Sequence, residues 1–308
     1  MFLKPNKQTT LYDNLILRSR ILDSVRRFFL NNHYLEVETP VRIPAPAPEI
    51  HIDAQPSGNW FLQTSPELCM KQLLSAGFPR IFQICKVFRQ KERGRRHLPE
   101  FTLLEWYAAK MDYLGMMEVC EDLVRHVARE NGFGECLEYR GNSIQLGRPW
   151  ERISLQAAFE KYASVSLEKS LSDDTFDEII SQEIEPFLGI QKPVFLYDYP
   201  AEKAALARLK LGNPEVGERF ELYMAGLEIC NAFSELTDPL EQRRRFEKDA
   251  LVREAMGKDI YPLPEVFLES LVHMPDAAGN ALGLDRLVMI FANAETMDEV
   301  VAFAPEEL

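Results

Sequence analysis

The run Phe101-Thr102-Leu103-Leu104-Glu105-Trp106-Tyr107 carries groups that a plain core strand has no use for. Counting by two puts Phe101, Leu103, Glu105 and Tyr107 on one face of a strand. An aromatic plate, a carboxylate and a phenol in line suit a platform that stacks a base and grips an amine. The same alternation also fits an amphipathic strand with Glu105 in solvent. Ahead of it, Phe82 to Phe88 reads as a partner strand, with Arg89 at the mouth of a basic loop that runs to His97.

Two more segments carry groups of the same kind. In Glu221 to Leu236, Asn231, Phe233 and Glu235 share a strand face, giving an amide, an apolar wall and a carboxylate. Glu221 and Glu228 are candidate ligands for a divalent cation on substrate phosphates, since Mg²⁺ favours one or two carboxylates plus phosphate oxygens. Strand parity puts Glu228 opposite Asn231 unless a bulge intervenes. In Gly279 to Arg286, Gly279, Ala281 and Gly283 strip one face so that a ligand can approach the backbone. Asp285 and Arg286 then open an apolar helix, a pattern that equally fits close strand–helix packing.

The elements that must position these groups are legible in outline. Leu15, Ile21, Leu22, Val25, Phe28 and Phe29 form a helical stripe over residues 11 to 33, with Arg18, Arg20, Arg26 and Arg27 mostly off it. A half-buried strand is expected over 35 to 41, ending at a proline-rich stretch. Ser65-Pro66-Glu67 opens a helix to about Leu74, and residues 113 to 131 form another. Residues 193 to 200 read as a buried strand, followed by strand pairs at 216–236 and 267–284 and a final helix from Asp285. Non-local strands with interspersed helices indicate an α+β fold around a mainly antiparallel sheet.

Bulk composition narrows the function classes. The chain has 308 residues and no run of 18 apolar ones, so no helical membrane span is expected. Its start lacks an apolar signal core, and its five cysteines form no C-x-x-C pair, which points to a reducing, cytoplasmic setting. A net charge of −13 disfavours extensive contact with tRNA or DNA, although Lys86 to Arg96 is a local basic cluster.

In this order the segments resemble the three signature motifs of class II aminoacyl-tRNA synthetases. The helix and strand ending at Pro40 resemble motif 1, Phe88-Arg89 to Tyr107 motif 2, and Gly279 to Arg286 motif 3. Ser65-Pro66-Glu67-Leu68, His97-x-Pro99-Glu100-Phe101-Thr102 and Asn231-x-Phe233-Ser234-Glu235-Leu236 are worded as in the lysyl branch. Motif 1 begins within the first dozen or so residues, so the resemblance implies one catalytic domain over 1–308, without an anticodon-binding domain. Residues 135–190 would be a peripheral lobe. The chain is most similar to the short lysyl-synthetase paralogues that lysylate elongation factor P.

The resemblance implies an aminoacyl-adenylate made from ATP, with Mg²⁺, and a homodimer built on motif 1. Arg89 would hold the α-phosphate. Phe101 would stack on adenine, with Arg286 covering its other side and reaching the γ-phosphate, and His97 would lie near the phosphate tail. Glu221 and Glu228 would hold the metal, and Glu67 the substrate's backbone amine. Glu105, Tyr107 and Glu235 would grip the side-chain amine, with Asn231 and Phe233 lining the pocket. Lysine or (R)-β-lysine would be the substrate, and a lysine of elongation factor P the acceptor in place of tRNA.

Three positions depart from the wider family. Where motif 2 commonly reads Arg-x-Glu, this chain has Arg89-Gln90-Lys91-Glu92, so Glu92 takes that role only if the loop shifts by one residue. Ala232 replaces a common glycine. Ala281 stands where lysyl-tRNA synthetases have glycine and the short paralogues alanine. One methyl in a close pocket changes discrimination by about 1–3 kcal/mol, enough to disfavour α-lysine, and the resemblance implies that (R)-β-lysine is preferred. The rival readings are a truncated tRNA-charging or amide-forming enzyme of the same class, and a non-catalytic regulatory paralogue.

Overall fold

The computed structural model describes residues 5–204 and 206–308. Among them, nine strands form the main sheet. In chain order these are β1 (Leu35–Glu36), β2 (Arg80–Phe88), β3 (Glu100–Ala109), β4 (Glu151–Ser154), β5 (Val194–Pro200), β6 (Leu209–Lys210), β7 (Asn213–Met224), β8 (Leu227–Ser234) and β9 (Ala277–Gly283). Their spatial order is β1-β2-β3-β9-β8-β7-β5-β4, with β6 on β7. The β1/β2 and β4/β5 pairs are parallel and the others antiparallel.

Period-two side-chain alternation divides the sheet into two environments. Behind it pack α1 (Pro5–Asn31), α2 (Tyr113–Glu130) and α3 (Leu284–Phe291), burying Ile21, Phe29, Leu104, Trp106, Leu222 and Leu282 in one core. On the other face lie the helices Glu67–Ser75, Pro239–Ala255 and Glu265–Ser270, over a smaller cluster that includes Tyr107 and Phe233. Within 135–190, β4 joins the main sheet, Cys136–Tyr139 and Asn142–Gln145 form a separate hairpin, and the helices pack around Phe159 and Phe176.

Several expected elements take a different form. The strand expected over 35 to 41 is paired only at Leu35–Glu36, while Arg42–Ile43 belongs to a separate three-stranded sheet. The prolines at 40, 44, 46 and 48 remove the donors a longer ladder needs. The strand pair expected over 267–284 is the helix Glu265–Ser270 followed by the single strand β9. The terminal helix α3 stops at Phe291, and single turns follow. The helix Pro239–Ala255 was not anticipated. Few of its residues are buried, so it lacks an apolar stripe, but its start is marked by Asp238, which caps Leu240 and Glu241, and by Pro239 in the first turn.

One polar tie crosses the core. The fully buried Asp285 carboxylate, at the start of α3, accepts from Arg18 of α1 and from the Thr102 backbone N–H of β3 at 2.7 Å. Arg18 also donates to Thr102 Oγ1 at 2.8 Å, so it faces inward rather than lying off the helical stripe. Removing one partner of a buried ion pair costs about 3–5 kcal/mol because the other charge is left uncompensated. Asp285→Asn should therefore lower unfolding stability by about 3 kcal/mol in denaturant titrations, a larger loss than Arg26→Ala, whose partner Glu36 is half-exposed.

Candidate active site

Sheet register places the candidate residues on a grid. Glu105, Ala281, Asn231 and Glu221 are mutual partners across β3, β9, β8 and β7. The next row is Tyr107, Gly279, Phe233 and Arg219. These residues line a cavity of about 860 Å³. Also on its walls are Glu67, Arg89, Glu92, His97, Phe101, Glu228, Glu235 and Arg286, so every candidate site residue meets in one place.

Glu228 reaches the cavity through a bulge. Leu222 pairs with Cys230 but Tyr223 pairs with Glu228, so Ile229 is the extra residue that reverses parity. Lys91 adopts a left-handed backbone with φ of 66°, and it is Glu92, one residue on, that lines the cavity. Such a backbone is uncommon away from glycine.

One end of the cavity is acidic. Glu105 is fully buried and accepts from Ser65 Oγ and from Tyr107 OH at 3.0 Å. Lys71, also fully buried, directs its ammonium to Glu67 and Glu235 and lies 5.1 Å from the Phe233 ring centroid. Burial pushes Glu105 up to about 8, reinforced by Glu67. Burial drives Glu235 upward as well, against the pull of Lys71. Despite burial, Glu235 and Glu67 keep the Lys71 ammonium protonated beyond its usual range. Three carboxylates against one ammonium form a pocket for a cationic ligand. Gly279 keeps it open, because a β-carbon there would overlap the Tyr107 ring and Glu235 Oε1.

The other end suits phosphates. The Arg89 guanidinium lies 5.1 Å from the Phe101 ring centroid. Arg286 bonds the Glu228 carbonyl at 2.8 Å, its carboxylate at 3.2 Å and His97 Nε2 at 2.6 Å. Burial and the neighbouring Arg286 drive His97 down to about 4, leaving it neutral and able to accept that bond. Although burial acts the other way, Arg286 holds Glu228 below the usual carboxylate range. Glu221 accepts from Tyr199 at 2.6 Å, Tyr223 at 2.7 Å and Arg219 at 2.6 Å.

Two of the Glu221 bonds fall on Oε2 and one on Oε1, so a lone pair is left for a cation. Among the described residues, no group of three or more His, Cys, Asp or Glu side chains stands ready for a metal. Two carboxylates beside a phosphate site match the donor set that Mg²⁺ takes when phosphate oxygens complete its shell.

A family model described as tRNA synthetases class II (D, K and N) matches residues 2–307. The chain belongs to the class II aminoacyl-tRNA synthetases. It is 38% identical to the elongation factor P–(R)-β-lysine ligase of Edwardsiella ictaluri, over 94% of each chain. The same values hold for the ligase of that name from Salmonella dublin. The fold is the one expected, α+β with a mainly antiparallel sheet flanked by helices. No described helix is long and apolar enough to cross a membrane.

Reading the sequence alone missed Ser65, Lys71, Tyr199 and Arg219. Two of them had a signal: Lys71 is four residues after Glu67 on one helix, and Arg219 precedes Glu221 by two on one strand. Gly279→Ala should raise KM for the amino acid more than tenfold, with a stability cost of about 1–3 kcal/mol in thermal melts, since no neighbour of that β-carbon can retreat cheaply.

The raised Glu105 carboxyl fixes a pH dependence. The folded protein holds this proton up to about 8 whereas the unfolded chain loses it near 4.5, so this group's contribution to stability falls as pH rises through that window. An incoming ammonium needs the ionised form. Lysine binding should therefore release protons at neutral pH and tighten as pH approaches 8. Calorimetry in buffers of different ionisation heat checks this, and Glu105→Gln should lessen the release.

Proposed function

We propose that this chain is an ATP-dependent ligase that activates (R)-β-lysine as an acyl-adenylate and passes it to a lysine side chain of elongation factor P. The observation that carries this reading is the acidic pocket of Glu67, Glu105 and Glu235 lining the same cavity as Arg89 and Arg286. The relatives named as (R)-β-lysine ligases support the same substrate and acceptor.

In this reading Glu67 holds the amine nearer the carboxylate, and Glu105, Tyr107 and Glu235 hold the distal one, beside Asn231 and Phe233. The substrate carboxylate attacks the α-phosphorus of ATP, forming an acyl–phosphate bond as pyrophosphate leaves. Arg89 lies at the α-phosphate and Arg286, with His97, at the tail, where fixed cations stabilise charge that develops in the transition state. Phe101 stacks the base, and Glu92 reaches the adenylate from the motif 2 loop. Glu221 and Glu228 would hold Mg²⁺, whose chemistry is to neutralise phosphate charge.

Residues 1–308 are read as one catalytic domain acting in the cytoplasm, without tRNA. A homodimer is also proposed, supported by exposed apolar side chains on and beyond α1, namely Tyr12, Ile16, Leu30, Leu35 and Val41. Ala281 has Glu105 on one side and Asn231 on the other, so its methyl reaches into the amine pocket's row. ATP–pyrophosphate exchange should favour (R)-β-lysine over α-lysine by roughly tenfold or more, and Ala281→Gly should shift that preference toward α-lysine. Equal exchange with both isomers would remove the role of the methyl, and exchange with neither would remove the reading.

A further inference from the structure

Adenylate formation needs no protein base, but the second half of the proposed reaction does. An acceptor lysine arrives as an ammonium, with a reference pKa of about 10.4, and nitrogen cannot attack until a proton leaves. The carboxylates of the amine pocket are held by Lys71, Ser65 and Tyr107, and those at the phosphate end by arginines and tyrosines. Among the described residues, four lining carboxylates have no hydrogen bond or ion pair: Glu49, Glu92, Glu202 and Asp249.

Their surroundings separate them. The charges that act on Glu49 are Arg89 just past the end of β2, Glu67 at the start of the helix Glu67–Ser75, Arg219 on β7 and Asp249 on the helix Pro239–Ala255. In an acyl-adenylate the acyl carbon lies between the α-phosphate and the amine, hence between the groups proposed to hold them, Arg89 and Glu67. Asp249 is near Glu49, but the charges that act on it are Lys248 and Arg245, with neither Arg89 nor Glu67 among them. Glu92 belongs to the motif 2 loop and Glu202 to the turn after β5.

The backbone around Glu49 is fixed in place. Arg253, fully buried, donates to the carbonyls of Glu49 at 2.6 Å and Ile52 at 2.9 Å and to the Asp53 carboxylate at 2.9 Å. Lys258 donates to the Ile50 carbonyl at 3.0 Å, and the Gln90 N–H to that of Asp53 at 2.7 Å. A side chain without a partner thus stands on a pinned loop beside the reacting centre.

We infer that Glu49 is the general base that takes the proton from the acceptor amine. This rests on the proposed acceptor chemistry. The Glu49 carboxylate removes one N–H proton and the freed lone pair attacks the acyl carbon. A C–N bond forms, the C–O bond to phosphate breaks, and its electron pair leaves with AMP. The second amine proton goes to the departing phosphate or to water, and Glu49 then returns its own proton to solvent. Burial, partly offset by Arg89, pushes the Glu49 carboxyl up to about 7, close to the working range of a general base.

The test is single-turnover transfer from preformed adenylate to elongation factor P, alongside exchange and discharge by hydroxylamine, an amine already unprotonated at neutral pH. In Glu49→Gln, transfer should fall about 100-fold or more and lose its rise with pH near 7, while exchange falls only a few-fold. Hydroxylamine should still discharge the variant's adenylate. Transfer by Glu49→Gln at the wild-type rate, or transfer and exchange falling together, would overturn the assignment. So would the same defect appearing instead in a variant of the exposed His51, the other titratable side chain of this loop at the cavity. If wild-type adenylate yields to hydroxylamine but to no lysine of elongation factor P, the acceptor reading itself fails, and Glu49 has no such proton to take.

Discussion

Three carboxylates, those of Glu67, Glu105 and Glu235, line one pocket, and the need to keep that negative charge tolerable explains much of what surrounds them. Unpaired buried charge is expensive, and groups so placed either find partners or take up protons. Both happen here. Lys71 bridges two of the carboxylates, Ser65 and Tyr107 donate to the third, and burial raises the proton affinity of Glu105 and Glu235. A well-packed apolar core would be at least as stable. The arrangement is explained as a receptor whose missing charge arrives with the ligand, so that binding an amine also stabilises the fold.

The opposite polarity prevails at the far end, where Arg89 and Arg286 meet a neutral His97. A ligand with amines at one end and polyphosphate at the other would therefore be oriented by field as well as by shape. The two ends are kept in register from behind the sheet. Asp285 and Arg286 are consecutive at the start of α3: the first is tied to Arg18 and Thr102 in the core, the second lines the cavity. Thr102 and Phe101 are likewise consecutive on β3 with opposite outlooks. One buried carboxylate thus sets the relative placement of Phe101 and Arg286, which in the proposed reading share the nucleotide.

How much of this was legible in the sequence depended on the range of the interaction. Phe101, Glu105 and Tyr107, like Asn231, Phe233 and Glu235, could be placed together because strand parity is a local rule. Glu228 could not, since the bulge at Ile229 exists only in the pairing of β7 with β8. Lys71 was hidden by its own plausibility: a Glu–Lys pair four residues apart usually lies on a solvated helix face, and only the sheet below makes this one buried. Arg18 was hidden in the same way, as a charge beside an apolar stripe whose partner is 267 residues distant. The expected strand over 35 to 41 failed where prolines overrode alternation, and the helix Pro239–Ala255 went unseen because its interior is charged on all sides.

Register also explains why a change as small as one methyl at Ala281 can be read by a ligand. A side chain on a loop, when crowded, moves away. Ala281 sits in the middle of a ladder whose neighbours on both sides, β3 and β8, are themselves central strands. Glu105 beside it is held by Ser65 and Tyr107, and Asn231 on the other side accepts from Arg219 at 3.0 Å. Neither partner can retreat without breaking a bond whose donor would be left buried. Interiors this dense pass a displacement on to the softest component. In the proposed reading that component is the ligand, so the methyl would act on which amine geometry fits and not on the wall that holds it.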